Sequence, residues 1–163
     1  VPLIYGYETA DATVAAATGT ATYTGNGRLS LQKPTNREWR KLDASLSVNF
    51  TNQTVAGSMK ISEAVDHTKM TAGTLTIPTT AISGNGFAAN NAQITINQSV
   101  NQTNNSTTQY ALSNADVSGT FYGVNGGVLG GDITADGTIN TIDSNGNTTS
   151  VDVVVNGGYI TED

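Results

Sequence analysis

The sequence predicts an all-β chain folded as a single eight-stranded antiparallel up-and-down β-barrel with a side-chain-filled interior. Apolar and polar residues alternate with a period of two in run after run, the spacing that sends successive side chains to opposite faces of a strand. Composition agrees: Thr, Asn, Gly, Ser and Ala dominate and only 12% of residues are charged, a pattern of short strands joined by polar turns. The runs number about eight at hairpin spacing, and a closed sheet of about eight strands is the size that its own side chains just fill. With 163 residues and no cysteine, the chain can build one core without a disulfide or a metal.

The elements follow in chain order. Residues 1–18 form an N-terminal leader or extra strand: an apolar patch, Val1-Pro-Leu-Ile-Tyr5, then an Ala-rich segment, Thr13 to Ala17, that suits a short helix or a strand. The barrel domain occupies residues 19–163. Ala21 and Tyr23 alternate with threonines, and Gly25-Asn26-Gly27 predicts a bulge or bend before Arg28-Leu-Ser-Leu31. Lys33 to Lys41 holds the one basic cluster and the only Trp, and Pro34 keeps it out of a central strand, so it reads as a loop. Ala44 to Phe50 and Thr54 to Ile61 alternate across a short polar turn and form a hairpin. Further runs cover Thr74 to Ile77, Ala81 to Phe87 and Gln93 to Asn97, and Asn101 to Thr108 is a polar loop. Leu129 to Thr134 is the penultimate strand, Asp136-Gly137 and Ser144 to Asn147 mark turns, and Ser150 to Val155 is the last strand before Tyr159 and Ile160.

Between them lies the densest glycine stretch, Val117 to Gly131. Val117, Gly119, Phe121 and Gly123 share one face of an extended segment, so the Phe121 ring has room to lie over bare backbone. The glycines at 126, 127, 130 and 131 then permit a corner. The segment Gly119-Thr-Phe-Tyr-Gly-Val-Asn-Gly-Gly-Val-Leu-Gly-Gly131 resembles the Gly-x-Phe-Tyr-Gly-Pro-Asn-Ala-x-Glu-x-Gly-Gly signature of the barrel domains of transferrin-binding protein B and related surface lipoproteins of Gram-negative bacteria. Val124 replaces the usual Pro, Gly126 the usual Ala, and Val128 stands near a common acidic residue, as in a divergent member. The hairpin from Ala44 to Ile61 and the run Ala81-Ile-Ser-Gly-Asn-Gly-Phe87 resemble the family's elements in the same order. With the alternating runs, the resemblance implies an interior that includes Leu46, Val48, Phe50, Val55, Met59, Ile61, Phe121 and Ile133.

Composition also excludes function classes. A formal net charge of −6 and a pI near 4.5 disfavour a nucleic-acid or anionic-membrane partner, both of which draw on clustered Lys and Arg. No apolar run reaches the roughly 18 residues of a membrane-spanning helix. The chain starts at Val1 with no start Met, basic leader or lipid-acceptor Cys, which points to a mature or trimmed chain whose targeting signal, and any lipid anchor, lies outside it. No nucleophile elbow, phosphate loop or metalloprotease helix occurs, so the reading is not an enzyme, with no catalytic residue, cofactor or metal. Asp143 to Asn147 has the oxygen spacing of a calcium loop but Val154 stands where the closing Glu belongs, and a plain turn explains it better.

The resemblance then implies a binding module, exposed on the bacterial surface or secreted, that recognises a host or bacterial surface protein through barrel-end loops, for nutrient iron or immune evasion. The candidate contacts are Arg37, Trp39, Arg40, His67, Lys69, Asn104 and Asn105, in the loops 33–41, 64–71 and 101–108. Trp39 reads foremost as a ring covering one barrel end. Two alternatives stand beside this. One is a haem carrier, its rim loop supplying His67 with Met70, Tyr110 or Tyr122 as second ligand, against the plainer reading of a solvated histidine. The other is a structural spacer in an envelope protein.

Overall fold

The computed structural model describes residues 6–63 and 73–163. Among the described residues one helix, α1 (Asp11–Ala16), precedes ten strand segments: β1 (Thr20–Gln32), β2 (Arg37–Asn49), β3 (Thr54–Glu63), β4 (Gly73–Ser83), β5 (Gly86–Ile96), β6 (Ser99–Asn101), β7 (Ser106–Leu112), β8 (Ala115–Tyr122), β9 (Val128–Ile142) and β10 (Thr148–Glu162). Every pairing is antiparallel, and β10 pairs with both β9 and β1, so the sheet closes. β7 and β8 lie end to end along β9, and β6 extends β5 along β7. The ten segments therefore fill eight places around an up-and-down barrel, as the alternation predicts.

Alternation sets the core. Along β2, Leu42, Ala44, Leu46 and Val48 point inward, and along β10, Val153, Val155 and Tyr159 do the same. Of the predicted interior residues, Leu46, Val48, Val55, Met59, Ile61, Phe121 and Ile133 are fully buried. Phe50 is half-buried, because β2 has ended at Asn49, and its ring leans on Phe121 at 5.6 Å. Each fully buried aliphatic side chain contributes about 1.5–3 kcal/mol relative to exposure.

Four local expectations need correction. Gly25-Asn26-Gly27 makes no break: β1 keeps one register with β2 and β10 through all three residues, and side chains at 25 and 27 would run into the β10 backbone. Asp136-Gly137 is not a turn but the place where β9 exchanges β8 for β7 as neighbour, with Ser113 N–H donating to Asp136 O at 2.8 Å. β10 runs on through Tyr159 and Ile160. The ring of Phe121 does not cover Gly119: Phe87, opposite Gly119 in register, and Tyr159 take that space, while Phe121 meets Tyr23 edge-on at 5.9 Å. Pro78, which has no N–H to give a ladder, sits inside β4 where the pairing with β3 slips and the pairing with β5 lapses.

The two ends of the barrel differ. At one, here the helix end, residues 7–17 fold across the opening. Thr9 N–H donates to Phe121 O at 2.8 Å, Gly123 N–H to Tyr7 O at 2.9 Å, and Gln53 Nε2 to Val14 O at 3.1 Å, while Val14 is buried in the core. Tyr23 hydroxyl donates to Gly126 O at 2.7 Å and ties the Gly-rich corner to the same end. At the other, the turn end, lie the turns 33–36, 102–105 and 143–147, and there β3 ends and β4 begins.

Candidate functional site

At the turn end, β2 divides the basic cluster that the sequence presents as one loop. The loop is only residues 33–36, closed by Lys33 N–H donating to Asn36 O at 2.8 Å, and from Arg37 onward the chain is strand. Alternation then sends Glu38 and Arg40 inward and Arg37, Trp39 and Lys41 outward. Trp39 therefore does not cover the barrel end: it stands on the outer wall, 45% exposed.

The inward set makes a polar mouth. Arg40 Nη2 donates to Glu38 Oε2 at 3.1 Å and to Tyr110 hydroxyl at 3.5 Å, and Lys33 ion-pairs with Glu38. Burial alone would raise Glu38, but the hydrogen bond and charge of Lys33, with those of Arg40, hold it below the usual carboxylate range. Burial, helped by the Glu38 charge, pushes Tyr110 up. Thr108 and Thr141 share the lining of this cavity of about 450 Å³.

The outward set forms a groove of about 670 Å³ across β2, β1 and β10. Its floor is low because Gly158, on the outward face of β10 between Asn156 and Ile160, carries no side chain, while Gly27 and Gly157 line it with backbone only. Trp39 and Arg37 wall one side, Ile160 and Asn156 the other, and Arg28 stands between them. The Arg37 guanidinium lies 5.7 Å from the centre of the Trp39 ring and donates to Gln32 Oε1 at 2.6 Å.

The remaining candidates separate. Asn104 and Asn105 form the β6–β7 turn, where Asn104 Oδ1 accepts from Ser106 N–H at 3.0 Å and Asn105 takes a left-handed φ of 55°. Asn101 to Thr108 is thus not all loop, since β7 begins at Ser106. His67, Lys69 and Met70 lie outside the described residues. Tyr110 is at the mouth, whereas Tyr122 is at the helix end, opposite the one where β3 ends and β4 begins. Asp143 spends its carboxylate on its own turn, accepting from Asn147 Nδ2 at 3.0 Å and from the backbone of Asn145 and Asn147, which holds it below its ordinary value. Among the described residues no group of three metal-ligating side chains gathers.

Sequence reasoning missed Glu38 in the mouth and Arg28, Asn156 and Ile160 in the groove, and it named Tyr110 only as a haem ligand. The available signal was Gly157-Gly158 inside an otherwise β-branched last strand, since glycine there marks a close approach or a hollow.

None of the curated protein sequences matches this chain. Solved structures do. Transferrin-binding protein B from serogroup B Neisseria meningitidis is 22% identical, with a TM-score of 0.55 over 93% of this chain and 27% of that one. Intact Ap-TbpB is 19% identical at 0.53, over 95% and 29%, and the protein from Haemophilus parasuis Hp5 is 17% identical at 0.53, over 95% and 28%. At these identities the likeness is one of fold, and the chain spans less than a third of the length of each. A family model for the C-lobe and N-lobe β-barrels of Tf-binding protein B matches residues 15–158, almost the whole chain, which places this barrel in that family.

Proposed function

We propose that this chain is a non-enzymatic binding module, displayed on the outside of a Gram-negative bacterium or released from it, that recognises a host protein through the turn end of its barrel. The carrying observation is the asymmetry of the ends: the helix end is occupied by residues 7–17, and the up-and-down topology gathers the turns at 33–36, 102–105 and 143–147 at the other. Family membership supports the class of partner, since the relatives are named for binding transferrin. A host iron carrier is therefore the first partner to try, and other serum proteins follow.

The test is capture from serum, and of purified transferrin, on immobilised protein, beside variants Arg37→Ala, Arg40→Ala, Lys69→Ala and Asn104→Ala/Asn105→Ala. Capture weakened by substitutions at the turn end supports the reading. A partner retained equally by all of them refutes this surface, and no serum partner at all favours a spacer role. The module works without a cofactor in this reading, so haemin added to the purified protein gives no Soret shift. A shift abolished by His67→Ala would turn the reading to a haem carrier.

A further inference from the structure

We infer that the outer-wall groove over β2, β1 and β10 is the seat of the protein partner's acidic segment, an aromatic or aliphatic side chain of that segment entering against Trp39 and Ile160. The inference rests on the binding-module reading and deepens it, because it moves the main contact from the loop tips to the barrel wall. Three observations carry it. Concavity comes first: at about 670 Å³ the groove is the size of a specific binding site, and it is hollow where Gly158 leaves the outward face of β10 without a side chain between Asn156 and Ile160. The apolar surface is next: Trp39, Val154 and Ile160 are 45%, 49% and 44% exposed on the outward faces of β2 and β10, around the groove.

Charge supplies the third and decides the occupant. The chain carries a formal −6, yet Arg28 and Arg37 line this groove, and no ion pair among the described residues involves either. Of the acids nearby, Glu38 turns inward to Lys33 and Arg40, Asp43 is already paired with Lys41 at 3.2 Å, and Asp152 and Glu162 lie beyond Val154 and Ile160 along β10. Two uncompensated guanidiniums beside an exposed indole complement carboxylates flanking an apolar side chain, and Trp and Arg are the residue types that dominate binding energy at interfaces. Recognition must run through side chains, since β1 is paired on both sides and has no edge to offer an added strand.

Trp39 is the only tryptophan and lines both this groove and the polar mouth, so the Arg28→Glu/Arg37→Glu variant is what assigns a change in its emission to the groove. The probe is a hexapeptide alternating acidic and aromatic residues, free of Trp, titrated into the full chain beside its counterpart with lysines for the acids. The expected result is a saturable change in Trp39 emission with the acidic peptide only, its midpoint rising with NaCl and rising at least tenfold in Arg28→Glu/Arg37→Glu, whose fold is checked by circular dichroism. Equal responses to both peptides, no response to either, or an unchanged midpoint in the double variant overturns the groove assignment. Because the assay needs no serum partner, its failure leaves capture by the turn end standing, and failure of capture leaves this assay readable.

Discussion

Gly119 shows how a single missing side chain organises the interior. Any Cβ there would collide with the Phe87 ring and with the Tyr159 hydroxyl, which donates to Ser118 O at 2.8 Å. Gly119→Ala is expected to destabilise the barrel by about 1–3 kcal/mol in urea denaturation, and by less in a Phe87→Leu background where the ring has gone. Gly126 is a second case. Its φ of +72° suits glycine, so the departure from the family's Ala at this position fits the corner as built. Its carbonyl accepts the Tyr23 hydroxyl, and burial, with a contribution from the Asp163 carboxylate, pushes Tyr23 up to about 12. A raised tyrosine contributes stability that is present below its ordinary 10 and is lost as pH rises through about 12. Alkaline denaturation followed at 295 nm should therefore show Tyr23 ionising with unfolding, and Tyr23→Phe should flatten stability across that window.

Single elements carry the next set of consequences. Helix α1 has only six residues and no side-chain N-cap, too short to persist alone, so it is held by Val14 in the core and by Gln53. Val14→Ala should cost about 2 kcal/mol and lower the melting temperature measured by calorimetry, with the β circular-dichroism signal kept. At the opposite end Glu38 is the depressed carboxylate between Lys33 and Arg40. Its contribution to stability is complete above the ordinary value of 4.5 and is lost as pH falls through its lower folded value, so Glu38→Gln should flatten the acid limb of a stability-versus-pH curve. Elements also mark what the sequence could tell. The β2–β3 hairpin was legible, turn included, because Ala44 to Phe50 and Thr54 to Ile61 each alternate and bury one face on either side of a short polar turn. The basic cluster was not, because Pro34 and a run of charged side chains hide the same alternation when the inward-facing residues at a barrel mouth are Glu38 and Arg40 and not apolar. The groove was less legible still, since its wall on β10 lies more than a hundred residues from Trp39 and only closure of the sheet brings the two together.

At the scale of the whole molecule, closure removes every edge from the main ladder and leaves recognition to ends and walls. Each end offers something to a partner. The turn end has its turns, its mouth and the adjoining groove, while the helix end exposes Tyr7 at 93% and Val124 at 89%. The central claim is that the turn end is the working one. Surface plasmon resonance of the captured serum partner against paired variants tests it most directly, Arg37→Ala/Asn104→Ala at the turn end and Tyr7→Ala/Val124→Ala at the helix end. The account predicts at least a tenfold loss of affinity for the first pair and unchanged affinity for the second; affinity kept by the first pair and lost by the second would contradict it.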